Sequence, residues 1–125
     1  MGYIQHKSEE SVEDYLETIL VLTKKLSVVR SIDIANELEY SKPSVSVAMK
    51  NLKNKGYITV SSEGYILLTE EGRQLAADTY ERHTIIRDWL VTLGVSPETA
   101  AADACRIEHD LSPESFEALK NHIHQ

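Results

Sequence analysis

With 125 residues, 42% of them hydrophobic and 26% charged, the chain is sized for one compact domain or two small helical lobes sharing a core. No stretch approaches the roughly 20 apolar residues of a membrane span, and the polar, acid-bearing start MGYIQHKSEE has no apolar signal core, so a cytoplasmic protein without a membrane partner is expected. The formal net charge of −7 argues against a generic polyanion binder.

That charge is polarised. Residues 1–68 carry 8 Lys/Arg against 9 Asp/Glu, net −1, whereas residues 69–125 carry 5 against 11, net −6. Between residues 42 and 55 stand Lys42, Lys50, Lys53 and Lys55 and no acid. The single cysteine, Cys105, excludes an internal disulfide and is a small buried hydrophobe, a reactive thiol or a metal ligand.

In chain order, Val12, Leu16, Ile19, Leu20 and Leu26 recur at helical spacing, and Ser11 with Asp14 three residues on predicts that this first helix starts at Ser11. A short second helix is expected from Ser31 through Ile32, Ile34, Ala35 and Leu38. The run Tyr40-Ser41-Lys42-Pro43 breaks it and opens a third, with Val45, Ala48, Met49 and Leu52 inward and Gly56 at its end. Two β-forming runs, Tyr57–Val60 and Tyr65–Leu68, flank a polar Ser61–Gly64 tip and predict a hairpin. Thr69 caps a long helix that stops at Gly94. Ser96-Pro97 and Ser112-Pro113, each followed by an acid, open two more.

Helix, helix, turn, helix and a two-stranded wing is the order of a winged helix-turn-helix. The expected fold is therefore mainly α: a winged helix-turn-helix DNA-binding domain over residues 1–70, followed by a helical dimerisation domain over 71–125. In the third helix, Ser41, Lys42, Pro43, Ser44, Ser46, Val47 and Lys50 are the candidate DNA-binding residues. Hydroxyls, free helix-start N–H groups and lysines suit phosphates, and Val47 suits an apolar base contact. The plain alternative is a solvated lysine face on an ordinary helical domain.

On a helix starting at Ser96, the 100° advance per residue puts Ala100, Ala104, Ile107 and Leu111 on one side and Cys105, Glu108 and His109 together on the other. Thiolate, carboxylate and imidazole from adjacent turns suit a first-row divalent metal; a solvated polar face is the plainer reading. Asp14 and Glu17 lie three apart off the apolar arc of the first helix, as paired ligands or as acids near a helix start. His83, midway along the long helix, is a third contributor or a hydrogen-bonded core histidine. His122 and His124 belong to a frayed end, and nothing near His6 suggests a ligand.

The segments SVEDYLETI (11–19), SKPSVS (41–46), GYI…LTEEG (56–72), RH (82–83) and DACRIEHDLS (103–112) give the chain a resemblance to the metal-dependent repressors that include the diphtheria toxin repressor and the manganese transport regulators. The resemblance implies a homodimeric repressor that binds a double-stranded DNA operator. It implies a metal site of Asp14, Glu17, His83, Cys105, Glu108 and His109, with Mn²⁺ or Fe²⁺ as effector and Co²⁺, Ni²⁺ or Zn²⁺ able to substitute in vitro. Asp14 and Glu17 match the manganese branch and Cys105 the iron branch. Arg87 and Ala101 stand where an iron-type ancillary site would place an acid and a histidine. The chain would be a short form without an SH3-like domain.

An enzyme is not expected, since no glycine-rich loop, nucleophile elbow or H-E-x-x-H helix accompanies the ligands. The competing reading is a metal-independent winged-helix regulator answering to a small molecule or protein. Otherwise no protein partner beyond a second copy is expected.

Overall fold

The structure, a computed structural model, describes residues 2–124, with side chains from Ser11 onward, so the side chain of His6 lies outside the described part. It contains α1 (Gly2–Lys25), α2 (Ser31–Leu38), α3 (Lys42–Asn54), β1 (Ile58–Val60), β2 (Ile66–Leu68), α4 (Glu70–Thr92), α5 (Pro97–Ile107) and α6 (Pro113–Ile123). The chain divides into a unit of residues Ser11–Ala77 and a second that contains residues 78–124.

In the first unit, one apolar side of each element faces a common core: Leu16, Ile19 and Leu22 from α1, Ile34 and Ala35 from α2, Val45, Met49 and Leu52 from α3, Ile58 and Ile66 from the strands. Ser11 does not start α1, as its spacing to Asp14 suggested. The helix already runs from Gly2, because nothing in the polar residues before Ser11 breaks it. The backbone N–H of Arg30 donates to the Asp33 carboxylate at 2.9 Å at the start of α2, and Glu39, in the left-handed region at φ 57°, turns the chain out of it. Ser41 Oγ then accepts from the Ser44 N–H and caps α3, with Pro43 in the first turn.

The wing is antiparallel, in the register Ile58↔Leu68, Thr59↔Leu67 and Val60↔Ile66. Only the inward residues Ile58 and Ile66 are buried, so two short strands are held by the core beneath them more than by their ladder. Ile66 N–H also bonds Val29 O at 2.8 Å, and Arg30 lies over the Tyr65 ring at 4.9 Å, which ties the wing to the start of α2. At the wing's root, Thr69 Oγ1 donates to Gly56 O at 2.7 Å and accepts from Gly72 N–H at 3.1 Å. Gly72 is buried against backbone, and a Cβ there would collide with the Tyr57 carbonyl.

In the second unit, α4 ends at Gly94 (φ 98°), where Val95 N–H reaches back to Leu90 O at 3.1 Å in a Schellman closure. Ser96 and Ser112 cap α5 and α6 through the N–H groups of Thr99 and Ser115, as their Ser-Pro starts indicate. Ile86, Ala100, Ala104 and Phe116 are buried.

Candidate metal centre and nucleic-acid interface

α3 turns Val45, Met49 and Leu52 inward, with Ala48 half-buried beside them, and leaves the opposite side of the helix exposed. Ser41, Lys42, Pro43, Ser44, Ser46, Val47 and Lys50 are all exposed, Val47 at 59% despite its apolar side chain. Two of the hydroxyls are partly committed: Ser41 Oγ caps the helix and also bonds Ser44 Oγ at 2.8 Å. Lys42, Ser46, Val47 and Lys50 stand exposed beside them. The wing tip offers an acid instead of a lysine. Glu63 is exposed there, and hydrogen bonds from its own backbone and from Ser61 and Ser62 hold its carboxyl below the usual carboxylate range.

In the second unit, α5 stops at Ile107. Glu108 is its C-cap, still helical at φ −57° and ψ −29°, and His109 follows in the turn. Cys105, Glu108 and His109 are brought together as the spacing indicated, each with a ligand atom within 4.8 Å of the others'. Ala100 and Ala104 are buried as expected, but the burial departs from the expectation at the end of the helix. Glu108 is 0% and His109 7% exposed, while Ile107, expected on the packed side with Ala104, is 37% exposed. The helix is too short near its end to set the packing by periodicity, and the turn after it folds the polar pair inward. Cys105 remains on the exposed side.

His83 approaches from α4, with Nδ1 3.0 Å from Glu108 Oε2. The other carboxylate oxygen, Oε1, is 3.2 Å from His109 Nε2 but outside hydrogen-bond geometry, so it is a buried oxygen without a hydrogen-bond partner. Burial pushes the Glu108 carboxyl up; the flanking imidazoles of His109 and His83 pull it down and win, holding it below the ordinary value. An anionic carboxylate with an unbonded oxygen, two imidazoles and a nearby thiol is a donor set that fits a divalent first-row cation. Buried polar atoms are otherwise nearly always paired.

Asp14 and Glu17 stand three apart on α1 in the other unit, both half-buried. Arg87 is turned to Asp88, its Nε donating to Oδ1 at 3.0 Å. His122 and His124 line a cleft of about 370 Å³ with Asp88 and Trp89, and neither joins a group of three converging donors among the described residues. One residue had no role in the sequence reading although its motif was noted. Arg82 Nη1 donates to the main-chain oxygens of Glu108 at 3.0 Å and Leu111 at 2.8 Å, and its guanidinium lies 5.2 Å over the Phe116 ring. Its position beside His83 was the available signal.

A winged helix with a lysine-bearing exposed helix, in a chain that also gathers buried Glu108 and His109 with half-buried His83 and a nearby thiol, has the parts of a DNA-binding regulator that answers to a metal. Residues 7–65 match the iron dependent repressor N-terminal DNA-binding domain, and residues 69–125 match the iron dependent repressor metal-binding and dimerisation domain. The transcriptional regulator MntR of Escherichia coli is 38% identical over 111 residues, covering 89% of this chain and 72% of the relative. An uncharacterised HTH-type transcriptional regulator of Methanocaldococcus jannaschii is 34% identical, with 89% and 90% covered. Among solved structures, the manganese regulator SloR superposes with a TM-score of 0.80 at 27% identity over 90% of this chain, which spans about half (53%) of that one. The chain belongs to the iron-dependent repressor family and is a metal-responsive, DNA-binding transcriptional repressor. That membership does not favour the metal-independent alternative.

Proposed function

We propose that Mn²⁺ or Fe²⁺ controls operator binding by a homodimer of this chain in the cytoplasm, with residues 1–70 reading DNA and residues 71–125 holding the metal and the dimer contact. The observation that carries it is the Glu108 carboxylate, fully buried with Oε1 lacking a hydrogen-bond partner while Cys105 and His109 offer ligand atoms within 4.8 Å of its own. His83, Cys105, Glu108 and His109 supply ligands from one unit, and Asp14 and Glu17 from α1 complete the set. When bound, the ion supplies the positive charge that lets three carboxylates share a site. Asp14 and Glu17 then fix α1, on whose face Leu16 and Ile19 enter the core that also seats α2 and α3. In this way metal occupancy reaches the recognition helix as a coupling free energy. Lys42 and Lys50 bind phosphates, Ser44 and Ser46 add hydroxyl contacts, and Val47 makes an apolar base contact.

Fluorescence anisotropy on operator DNA, run anaerobically with Mn²⁺, with Fe²⁺ and with chelator, tests the proposal. Metal is expected to tighten binding and chelator to reverse it; equal affinity in all arms would refute it. The thiol of Cys105 favours Fe²⁺ and the acids favour Mn²⁺. Cys105→Glu is expected to shift metal preference toward Mn²⁺ in competition titrations, and unchanged selectivity would remove Cys105 from the ligand set.

A further inference from the structure

The ligand-bearing turn is short of internal support. After Ile107 the helix ladder ends, and the next regular element begins only at the Ser112 cap. Within the turn Glu108 N–H reaches Ala104 O at 2.9 Å and Asp110 N–H reaches Ile107 O at 3.0 Å, but the main-chain oxygens of Glu108 and Leu111 accept from a side chain of a different helix. That side chain is Arg82. Its Nη1 spends both hydrogens on those two carbonyls, at 3.0 and 2.8 Å, and its guanidinium rests on Phe116, which is 4% exposed.

The adjacent residue completes the arrangement. Arg82 and His83, about 100° apart on α4, hold the same target from two directions. Arg82 takes the main-chain oxygen of Glu108, and His83 Nδ1 meets its carboxylate Oε2 at 3.0 Å. A positive charge at the C-terminal end of α5 also matches the helix's negative partial charge there, and because it is bonded to carbonyls it leaves the carboxylate to a cation. We infer that Arg82 is a positioning residue for the metal centre: it fixes the α5–α6 turn so that Glu108 and His109 are presented before metal arrives. This inference rests on the reading of His83, Cys105, Glu108 and His109 as ligands.

The test uses the full chain as wild type, Arg82→Met, which keeps an apolar stem on Phe116 without donors, and Arg82→Lys, which restores donors. Mn²⁺ affinity is measured by calorimetric titration. Ligand geometry is read from the d–d bands and the sulfur-to-metal charge-transfer band of the Co²⁺ form. Arg82→Met is expected to weaken Mn²⁺ binding by about 10- to 100-fold, the usual range for residues that orient ligands. Its Co²⁺ spectrum is expected to change while far-ultraviolet circular dichroism stays the same, and Arg82→Lys should recover most of both. Wild-type affinity and an unaltered Co²⁺ spectrum in Arg82→Met would overturn the inference while leaving the metal site standing, whereas wild type that binds no Mn²⁺ would defeat the site itself. Should Arg82→Met fail to fold, Phe116→Leu removes the surface beneath the guanidinium and keeps its donors. A several-fold loss of Mn²⁺ affinity at constant helix content then supports the inference, and wild-type binding refutes it.

Discussion

Residues 11–77 gather twelve buried hydrophobic side chains, from Leu16 to Ala76, into one cluster with no buried charge among them. Among the described residues from Asp78 on, the buried hydrophobic side chains are Ile86, Ala100, Ala104 and Phe116, and Thr79, Glu108 and His109 are buried beside them. The first interior is packed from apolar side chains. The second is thin and polar, and it depends on what its charged groups can find. Buried Glu108 and His109 give the second a place for a charged ligand that the apolar interior of the first lacks, which suits a sensor attached to a reader.

That contrast can be broken most forcefully from the apolar side. Ile34→Ala deletes a fully buried side chain in the DNA-binding unit and is expected to cost about 2–5 kcal/mol in denaturant unfolding, with no recovery on adding Mn²⁺ beyond the gain wild type shows. Full rescue by metal would mean the two interiors are not distinct.

Glu108→Gln tests the polar side. Mn²⁺ affinity should fall by about 100-fold or more, and the metal-induced rise in Tm should vanish with it. The metal-free variant should unfold more easily than metal-free wild type, because the Glu108 carboxylate is stabilised by the imidazoles of His109 and His83 and a neutral amide loses that contribution. Thermal melts with and without Mn²⁺ give all three.

Acid should separate the units by degrees. Ligand imidazoles must be neutral, so Mn²⁺ affinity should weaken as pH falls and protons compete for His83 and His109. The Glu108 carboxyl, lowered in the folded protein, contributes stability above its ordinary value of 4.5 and loses that contribution as pH drops through the lowered one. Metal release should thus precede acid unfolding in a titration followed by both Mn²⁺ electron paramagnetic resonance and circular dichroism. The smallest effect is expected on the DNA face. Lys42→Ala should weaken every DNA sequence to a similar extent and flatten the log–log salt dependence by about 0.9. A loss confined to one sequence would make Lys42 a base reader.

Most of the fold was legible because its signals are local. Ser41, Ser96 and Ser112 cap their helices through N–H groups three residues on, and Gly94 takes the left-handed turn that closes α4. The start of α1 was not legible, since Ser11-x-x-Asp14 resembles a cap while nothing before it forbids a helix. At the centre, the proximity of Cys105, Glu108 and His109 followed from spacing, but the burial of Glu108 and His109 did not. Periodicity assumes the helix continues, and α5 ends at Ile107, so the last two ligands take their direction from a turn. The contacts of Arg82 were not legible for a related reason: its partners are main-chain oxygens, 26 and 29 residues away, which no residue pattern records.

The contact at Gly72 has an evolutionary consequence. The first turn of α4 meets Tyr57 backbone to backbone, and α4 carries His83 further along the same helix. Sequence drift can exchange apolar residues across the core, but at position 72 even one methyl group has no place to go. A saturation library at that site, selected for folded protein, should return glycine alone while neighbouring Glu71 and Arg73, both exposed, tolerate many residues.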